Sequence, residues 1–152
     1  MACDDERMPK SFDYAEEESL NFKIYKTDLG DVHPNSVRVI MYGNSGRTLE
    51  VIASSLGGGR IQICELDGIT AIFSGEYPTL IVHNLDQPGH VTEVTSMLGH
   101  KGVNIATMQL YRKSRGGEAV MVIECDQEVP EDSIKWLEHI EGILKVTYLS
   151  LL

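Results

Sequence analysis

Polar residues gather in one short segment of the chain, around Asp86-Gln87-Pro88-Gly89. Asn84 and Asp86 follow an apolar run, and Gly89 and His90 stand where a helix would begin. The N–H groups in the first turn of a helix are free and the helix dipole is positive there, so this end attracts a carboxylate. A carboxylate such as that of Asp86 attracts an ammonium group. The spacing therefore predicts a site for a small amino acid.

A second polar segment, Lys101-Gly102-Val103-Asn104-Ile105, follows at a short distance. We expect Asn104 and Ile105 to complete the same site. The competing interpretation is that Asp86 only caps the helix and that the turn binds nothing.

The elements that would position these residues can be read from the apolar pattern. Pro88 suits the first helical position, where its missing N–H costs nothing. Val91, Val94 and Leu98 then share one helical face, and Gly102 ends the helix. A second helix should begin near Pro130 and bury an apolar side. The pattern predicts strands near 79–84, 103–113, 118–125 and 143–150, and helices near 89–100 and 131–140.

The first half of the chain has its own pattern of elements. Asp67-Gly68 is a dipeptide favoured in two-residue hairpins, and Ser74 to Pro78 is the expected joint between the halves. The predicted elements are a helix over 9–20, strands over 21–27, 37–42, 49–53, 61–66 and 69–73, and a glycine-rich loop over 54–59.

Two loops in this half could carry chemistry, His33-Pro34-Asn35 and Gly57-Gly58-Gly59. Successive glycines allow positive φ, and their N–H groups can form an anion-binding nest. The loop matches neither the Walker pattern nor the dinucleotide-binding pattern. The alternative interpretation is a strained structural turn beside an ordinary loop histidine.

Composition narrows the possible partners. The formal net charge of −10 argues against binding to nucleic acid or to an anionic membrane. No apolar run has the length of a membrane span and no signal-peptide pattern opens the chain, so a cytoplasmic location is expected. Cys3, Cys64 and Cys125 are widely spaced, and the histidines show no ligand pairing. We therefore expect reduced thiols and no metal site made by this chain alone.

Residues 76–152 resemble an ACT domain, on Asp86-Gln87-Pro88-Gly89 and on the segment from Lys101 to Ile105. The resemblance implies an α+β fold, a ferredoxin-like βαββαβ module that binds amino acids. It also implies a homodimer, because ACT modules commonly join side by side.

The two loops of the first half extend the resemblance. A His33-Pro34-Asn35 loop, a Ser-x-Gly-Gly-Gly loop and an ACT domain together resemble the C-terminal part of the β chain of iron–sulfur-dependent L-serine dehydratase. The resemblance implies that residues 1–75 are part of an allosteric-substrate-binding-like α/β domain. It further implies an α-chain partner that holds a [4Fe-4S] cluster, and conversion of L-serine to pyruvate and ammonia. In that assembly a supporting active-site role falls to His33, Asn35, Gly57, Gly58 and Gly59.

One departure from the family pattern shapes the expected function. The Gly-Pro-Ser-Ser-Ser-His-Thr segment that opens such β chains is absent, so we expect an N-terminally truncated first domain. We expect a regulatory and assembly subunit, or a fragment of one, that is not catalytic alone. The alternatives are a free-standing ACT amino-acid sensor and the regulatory tail of a 3-phosphoglycerate dehydrogenase. The pattern leaves open whether serine activates, inhibits or only assists assembly.

Overall fold

A computed structural model describes residues 5–151 of the chain. The described part forms two compact units, residues 5–32 and residues 33–151. The predicted division between residues 75 and 76 stays a prediction.

The described part of the first unit contains one short α-helix, preceded by a turn of 3₁₀-helix. One turn of 3₁₀-helix over Met8–Lys10 leads into α1, which covers Ser11–Glu17. The helix ends earlier than predicted, just before Ser19, which has a φ of 57°. The strand predicted over 21–27 is wrong, because alternation alone does not make a strand without a hydrogen-bonded neighbour, and no strand of the described chain pairs with this segment. Phe22 instead stacks on Phe12, with ring centroids 5.2 Å apart.

The second unit begins with a four-stranded antiparallel sheet in chain order. Asp67 and Gly68 form the tight turn between its last two strands, as predicted, and both have positive φ. The loop predicted over 54–59 is shorter than expected, because Ser54 pairs with Ser36 on one side and with Gln62 on the other. The strands are β1 (Ser36–Tyr42), β2 (Thr48–Gly57), β3 (Arg60–Leu66) and β4 (Ile69–Phe73).

The rest of the unit is a ferredoxin-like βαββαβ module, as predicted. Its four strands form one antiparallel sheet in the order β6-β7-β5-β8. The second helix of the module begins after Pro130, with Leu137 buried and Trp136 half-exposed. The elements are β5 (Thr79–Leu85), α2 (His90–His100), β6 (Ile105–Arg112), β7 (Glu118–Cys125), α3 (Glu131–Leu137) and β8 (Ile143–Leu149).

Strand β5 is buried on both faces and lies at the centre of the packing. Leu80 and Val82 pack in one core with residues of α2 and α3. Ile81 packs in a second core with Leu66 and Phe73 of the first sheet. Because side chains alternate along a strand, Asn84 lies on the helix face of β5 and His83 lies on the face toward the first sheet.

Helix length also bears on membrane insertion. Among residues 5–151, no helix is both long enough and apolar enough to cross a membrane.

Candidate functional site

The polar segment after β5 turns sharply before α2 begins. The helix starts at His90, and Gly89, with a φ of 109°, occupies the N-cap position. The prediction that Pro88 is the first helical residue is therefore wrong, and so is the competing interpretation that Asp86 caps the helix. A side chain with a Cβ rarely adopts this φ, so glycine is favoured at the turn.

Asp86 is held by the last residue of β6 and by the loop that follows it, instead of by the helix. Its Oδ2 accepts a hydrogen bond from the backbone N–H of Gly116 at 2.9 Å and another from Arg112 at 3.1 Å. The Gly116 N–H, and then the Arg112 guanidinium, lower the pKa of the Asp86 carboxyl below its ordinary value. A fixed negative charge thus lies beside the turn that leads into α2.

Asn84 and His90 form the buried part of the same region, and only 3% of Asn84 and 7% of His90 are exposed. Asn84 donates from Nδ2 to the carbonyl oxygen of Leu85 at 2.6 Å. His90 Nδ1 lies 3.1 Å from Glu93 Oε2. Asn84 Oδ1 and His90 Nε2 are buried and have no partner among the described residues. Buried polar atoms of native proteins are usually hydrogen-bonded, so these two atoms make the region a candidate binding site.

Gly142 completes this region from the segment that precedes β8. Its carbonyl oxygen accepts a hydrogen bond from the N–H of Leu85 at 2.8 Å. A Cβ at residue 142 would lie 2.6 Å from His90 Nε2, so the imidazole occupies the space that a side chain would fill. No sequence pattern singled out Gly142, Arg112 or Gly116. Of the additional residues, only Glu93 could have been found from the sequence, because a residue three positions after His90 in a helix lies beside it.

Asn104 and Ile105 do not join this site within one chain. Ile105 pairs with Cys125, whereas Asn84 pairs with Ala119 at the other end of β7. The six residue steps from Ala119 to Cys125 span about 20 Å at about 3.3 Å per residue. Asn104 donates instead from Nδ2 to Asp126 at 2.6 Å. The predicted six-residue site is therefore divided between two ends of the sheet, because the sequence does not reveal strand direction and register.

The two loops of the first half do come together, at the start of β1. The carbonyl oxygen of Asn35 accepts a hydrogen bond from the N–H of Ser55 at 2.8 Å, and His33 Nδ1 accepts one from the N–H of Asn35 at 3.2 Å. Ser55 is two residues from Gly57. The three glycines all have positive φ, at 83°, 63° and 78°, and lie at the exposed turn between β2 and β3. His33 and Asn35 are also exposed, so these residues present a polar surface.

The cysteines bear on whether this chain could hold an iron–sulfur cluster. Cys64 lies in β3 of the first sheet and Cys125 lies in β7 of the second. Burial raises the pKa of the Cys125 thiol to about 11, which disfavours the thiolate that binds iron. In the described part of the chain no three His, Cys, Asp or Glu side chains are grouped to hold a metal ion. Cys3 lies outside the described residues.

Comparison with known proteins identifies the second half of the chain. Residues 78–138 match the ACT domain family. This match agrees with the ferredoxin-like order of strands and helices.

Comparison over the whole chain yields two groups of relatives. The chain is 31% identical over 146 residues to the probable L-serine dehydratase, beta chain, of Bacillus subtilis, and 31% identical over 147 residues to the L-serine dehydratase, beta chain, of Peptoniphilus asaccharolyticus. Each alignment covers 96% of this chain and 66% of the relative. D-3-phosphoglycerate dehydrogenase of Methanocaldococcus jannaschii is 39% identical over 100 residues, which cover 66% of this chain and 19% of that enzyme.

Proposed function

We propose that this chain, by sequence a member of the L-serine dehydratase β-chain family with an ACT domain, is a regulatory and assembly subunit of an iron–sulfur L-serine dehydratase. The observation that carries the proposal is that the similarity to two such β chains runs through both sheets and covers 96% of the chain. An ACT domain alone would account only for residues 78–138.

The catalytic chemistry of the proposed enzyme needs a group that the proposal assigns to another chain. Hydroxide is a poor leaving group, so its elimination from serine needs a Lewis acid or an electron sink, and a [4Fe-4S] cluster would supply a Lewis acid when bound. Because Cys64 and Cys125 lie in different sheets, we assign the cluster to an α chain. His33, Asn35 and the Gly57–Gly59 turn keep their proposed supporting role, as an exposed polar surface on which the α chain would lie.

The regulatory site that we propose lies at the start of α2. The N–H groups of His90 and Val91 have no partner within the helix and would bind the carboxylate of an amino acid, most simply L-serine. The fixed charge of Asp86 would attract the ammonium group. Asn84 would contribute its unpaired Oδ1 from the buried side.

We further propose that the ACT module pairs with a second copy through β6, which is an edge strand of its sheet. In a two-fold antiparallel pairing, the start of β6 in one copy lies opposite the end of β6 in the other. Arg112, which binds Asp86, is at that end. Asn104 of the second copy would then approach Asp86, which would reunite the predicted site across two chains. A cytoplasmic location stays part of this proposal.

Two alternatives remain distinguishable from the subunit proposal. The alignment with D-3-phosphoglycerate dehydrogenase of Bacillus subtilis covers 90% of this chain but only 26% of that enzyme. The alignments with the two β chains each cover 66% of the relative. This difference favours the dehydratase over a dehydrogenase tail. A free-standing ACT sensor would bind an amino acid but would not assemble with a cluster-containing chain.

The test is co-purification and assay with an α chain. We expect the tagged chain to retain an iron–sulfur α chain under anaerobic conditions, and pyruvate to form from L-serine only in that complex. An isolated chain that produced pyruvate after treatment with iron and sulfide would contradict the subunit proposal. A chain that bound L-serine but no α chain would favour the free-standing sensor.

A further inference from the structure

A second cavity, of about 420 Å³, lies where the turn between β1 and β2 meets β8. Cavities that bind small molecules usually measure about 300–1,000 Å³, so this one suits a ligand of few atoms. Asn84, Asp86 and His90, which form the proposed amino-acid site, do not line it. The lining residues are Arg47, Thr48, Glu138, Ile143, Leu144, Lys145 and Val146.

The guanidinium of Arg47 is fixed at this cavity by neutral acceptors. Its Nη2 donates to the carbonyl oxygen of Val146 and, at 2.7 Å, to the hydroxyl oxygen of Thr147. Within the described chain, Arg47 forms no ion pair with a carboxylate. A guanidinium has five N–H donors, so those of Nε and Nη1 remain for a ligand. Arg47 is therefore an oriented cation whose charge this part of the chain leaves unpaired.

Lys145 brings a second cationic donor to the same cavity. Its ammonium group has three N–H donors. One binds the carboxylate of Asp67 and another donates to the carbonyl oxygen of Thr48. The third is left for a ligand. The two contacts hold the ammonium group, whose side chain is only 24% exposed, in a fixed position.

The other lining residues restrict the ligand. Two cationic N–H donors bind an oxyanion, such as a carboxylate or a phosphate. The exposed carboxylate of Glu138 also borders the cavity, and it repels a divalent anion more strongly than a monovalent one. Ile143 and Leu144 supply apolar surface, and Leu144 is 51% exposed. These features together fit a monovalent carboxylate that has a short apolar body.

We propose that this cavity binds a small monocarboxylate, with Arg47 and Lys145 donating to the carboxylate and with Ile143 and Leu144 contacting its apolar part. The walls of the cavity come from both sheets of the second unit, so an occupied site would strengthen the contact between β8 and the turn between β1 and β2. The inference goes beyond the proposed function and does not depend on it.

The experiment is isothermal titration calorimetry of the full chain with propionate at pH 7.5 and low ionic strength, where charge interactions are least screened. Inorganic phosphate, which is mostly divalent at this pH, is the second probe. We expect propionate to bind and phosphate to bind several-fold more weakly. Phosphate binding that equals or exceeds propionate binding would overturn the proposed ligand class, and the absence of propionate binding would overturn the site.

Variants of two arginines test the position of the site. Arg47→Met keeps most of the aliphatic stem but removes the donors, and should weaken propionate binding roughly tenfold or more. Arg38→Met, which removes the same charge from an exposed position in β1, is the matched control and should bind as the wild-type chain does. Undiminished binding in Arg47→Met, or an equal loss in both variants, would overturn the proposal. Thermal unfolding shows whether each variant is folded.

Glu138→Gln gives a measurement that does not depend on the tolerance of the fold for changes at Arg47. Glu138 is exposed and lies just after α3, so the substitution should leave the chain folded. It should strengthen phosphate binding more than propionate binding, because the repulsion of a divalent anion is relieved more. An unchanged ratio of the two affinities would count against the assigned cavity.

Discussion

Lys145 of β8 forms an ion pair with Asp67 in the turn between β3 and β4, and this contact joins the two sheets of the second unit. Lys145 also donates to the carbonyl oxygen of Thr48 at 3.1 Å. The N–H of Glu50 donates to Asp67 Oδ1 at 3.0 Å, so the carboxylate is fixed from both sheets. His83 Nε2 lies 3.8 Å from Asp67 Oδ2, on the opposite face of β5 from Asn84.

We predict that Asp67→Asn lowers the free energy of unfolding by about 1–2 kcal/mol at pH 7, because a charge-assisted contact is lost at a partly exposed position. Burial raises the pKa of Asp67, but the bonds from Lys145 and Glu50 outweigh it and the net pKa lies below the ordinary 3.8. The stabilisation is therefore present above pH 3.8 and is lost as the pH falls through the lowered folded-state value. Urea unfolding at pH 7 and pH 3 measures the difference, with the exposed-pair variant Lys135→Ala as the control. A deficit that is equally large at both pH values would contradict this assignment.

His83 should make stability fall in mild acid. Burial lowers the pKa of its imidazole below 6.5. The negative charges of Asp67 and Glu118 raise this pKa, and the positive charges of Lys145 and Arg47 lower it, but burial is the largest effect. The unfolded chain then binds the proton more readily, so the free energy of unfolding declines as the pH drops below 6.5. We predict that His83→Gln flattens this part of the profile in urea titrations between pH 8 and pH 5. Parallel profiles for the variant and the wild-type protein would be evidence against a neutral, buried His83.

Asp86→Ala should weaken L-serine binding roughly tenfold or more, because it removes the charge that attracts the ammonium group. Asp86→Asn keeps an oxygen for the Gly116 N–H and tests charge alone. Calorimetry at pH 7.5 measures both, and thermal unfolding shows whether the turn remains folded. Undiminished binding in Asp86→Ala would mean that the carboxylate only holds the loop between β6 and β7.

Pairing through β6 should depend on its exposed apolar residue, Leu110, which is 49% exposed. We predict that the wild-type chain sediments as a dimer at high micromolar concentration and that Leu110→Glu sediments mainly as a monomer, since the new charges would face each other near the two-fold axis. Leu144→Glu, at a similarly exposed position of β8, is the matched control. A wild-type chain that is monomeric throughout would refute this mode of assembly.

Cys125 should resist alkylation in the folded protein. Its side chain is fully buried and the pKa of its thiol is raised to about 11, so little thiolate exists at pH 8. Iodoacetamide labelling followed by peptide mass spectrometry should find Cys125 unmodified in buffer and modified in urea. Rapid modification in buffer would show that β7 opens readily.

The apolar pattern predicted most of the ACT half because its elements are amphipathic or fully buried. Leu80 to Val82 predicted a strand, and Val94 and Leu98 predicted the inward face of α2, which the structure confirms. Val91, predicted on the same helical face, is instead 39% exposed. The pattern failed at residues 21–27, where alternation exists without a partner strand. Local periodicity reports which face of an element would be buried, but pairing is a property of the whole chain.

For the candidate site, the sequence by itself determined which polar side chains lie at the end of β5 and just after it, and that a helix begins soon after them, because proline fixes φ and glycine permits a positive φ. Tertiary structure alone decided that Asp86 binds Arg112 and Gly116, that Asn104 lies at the far end of the sheet, and that Gly142 accommodates His90. These relationships depend on strand order and register, which fix contacts between residues that are distant in the chain and that no local pattern encodes.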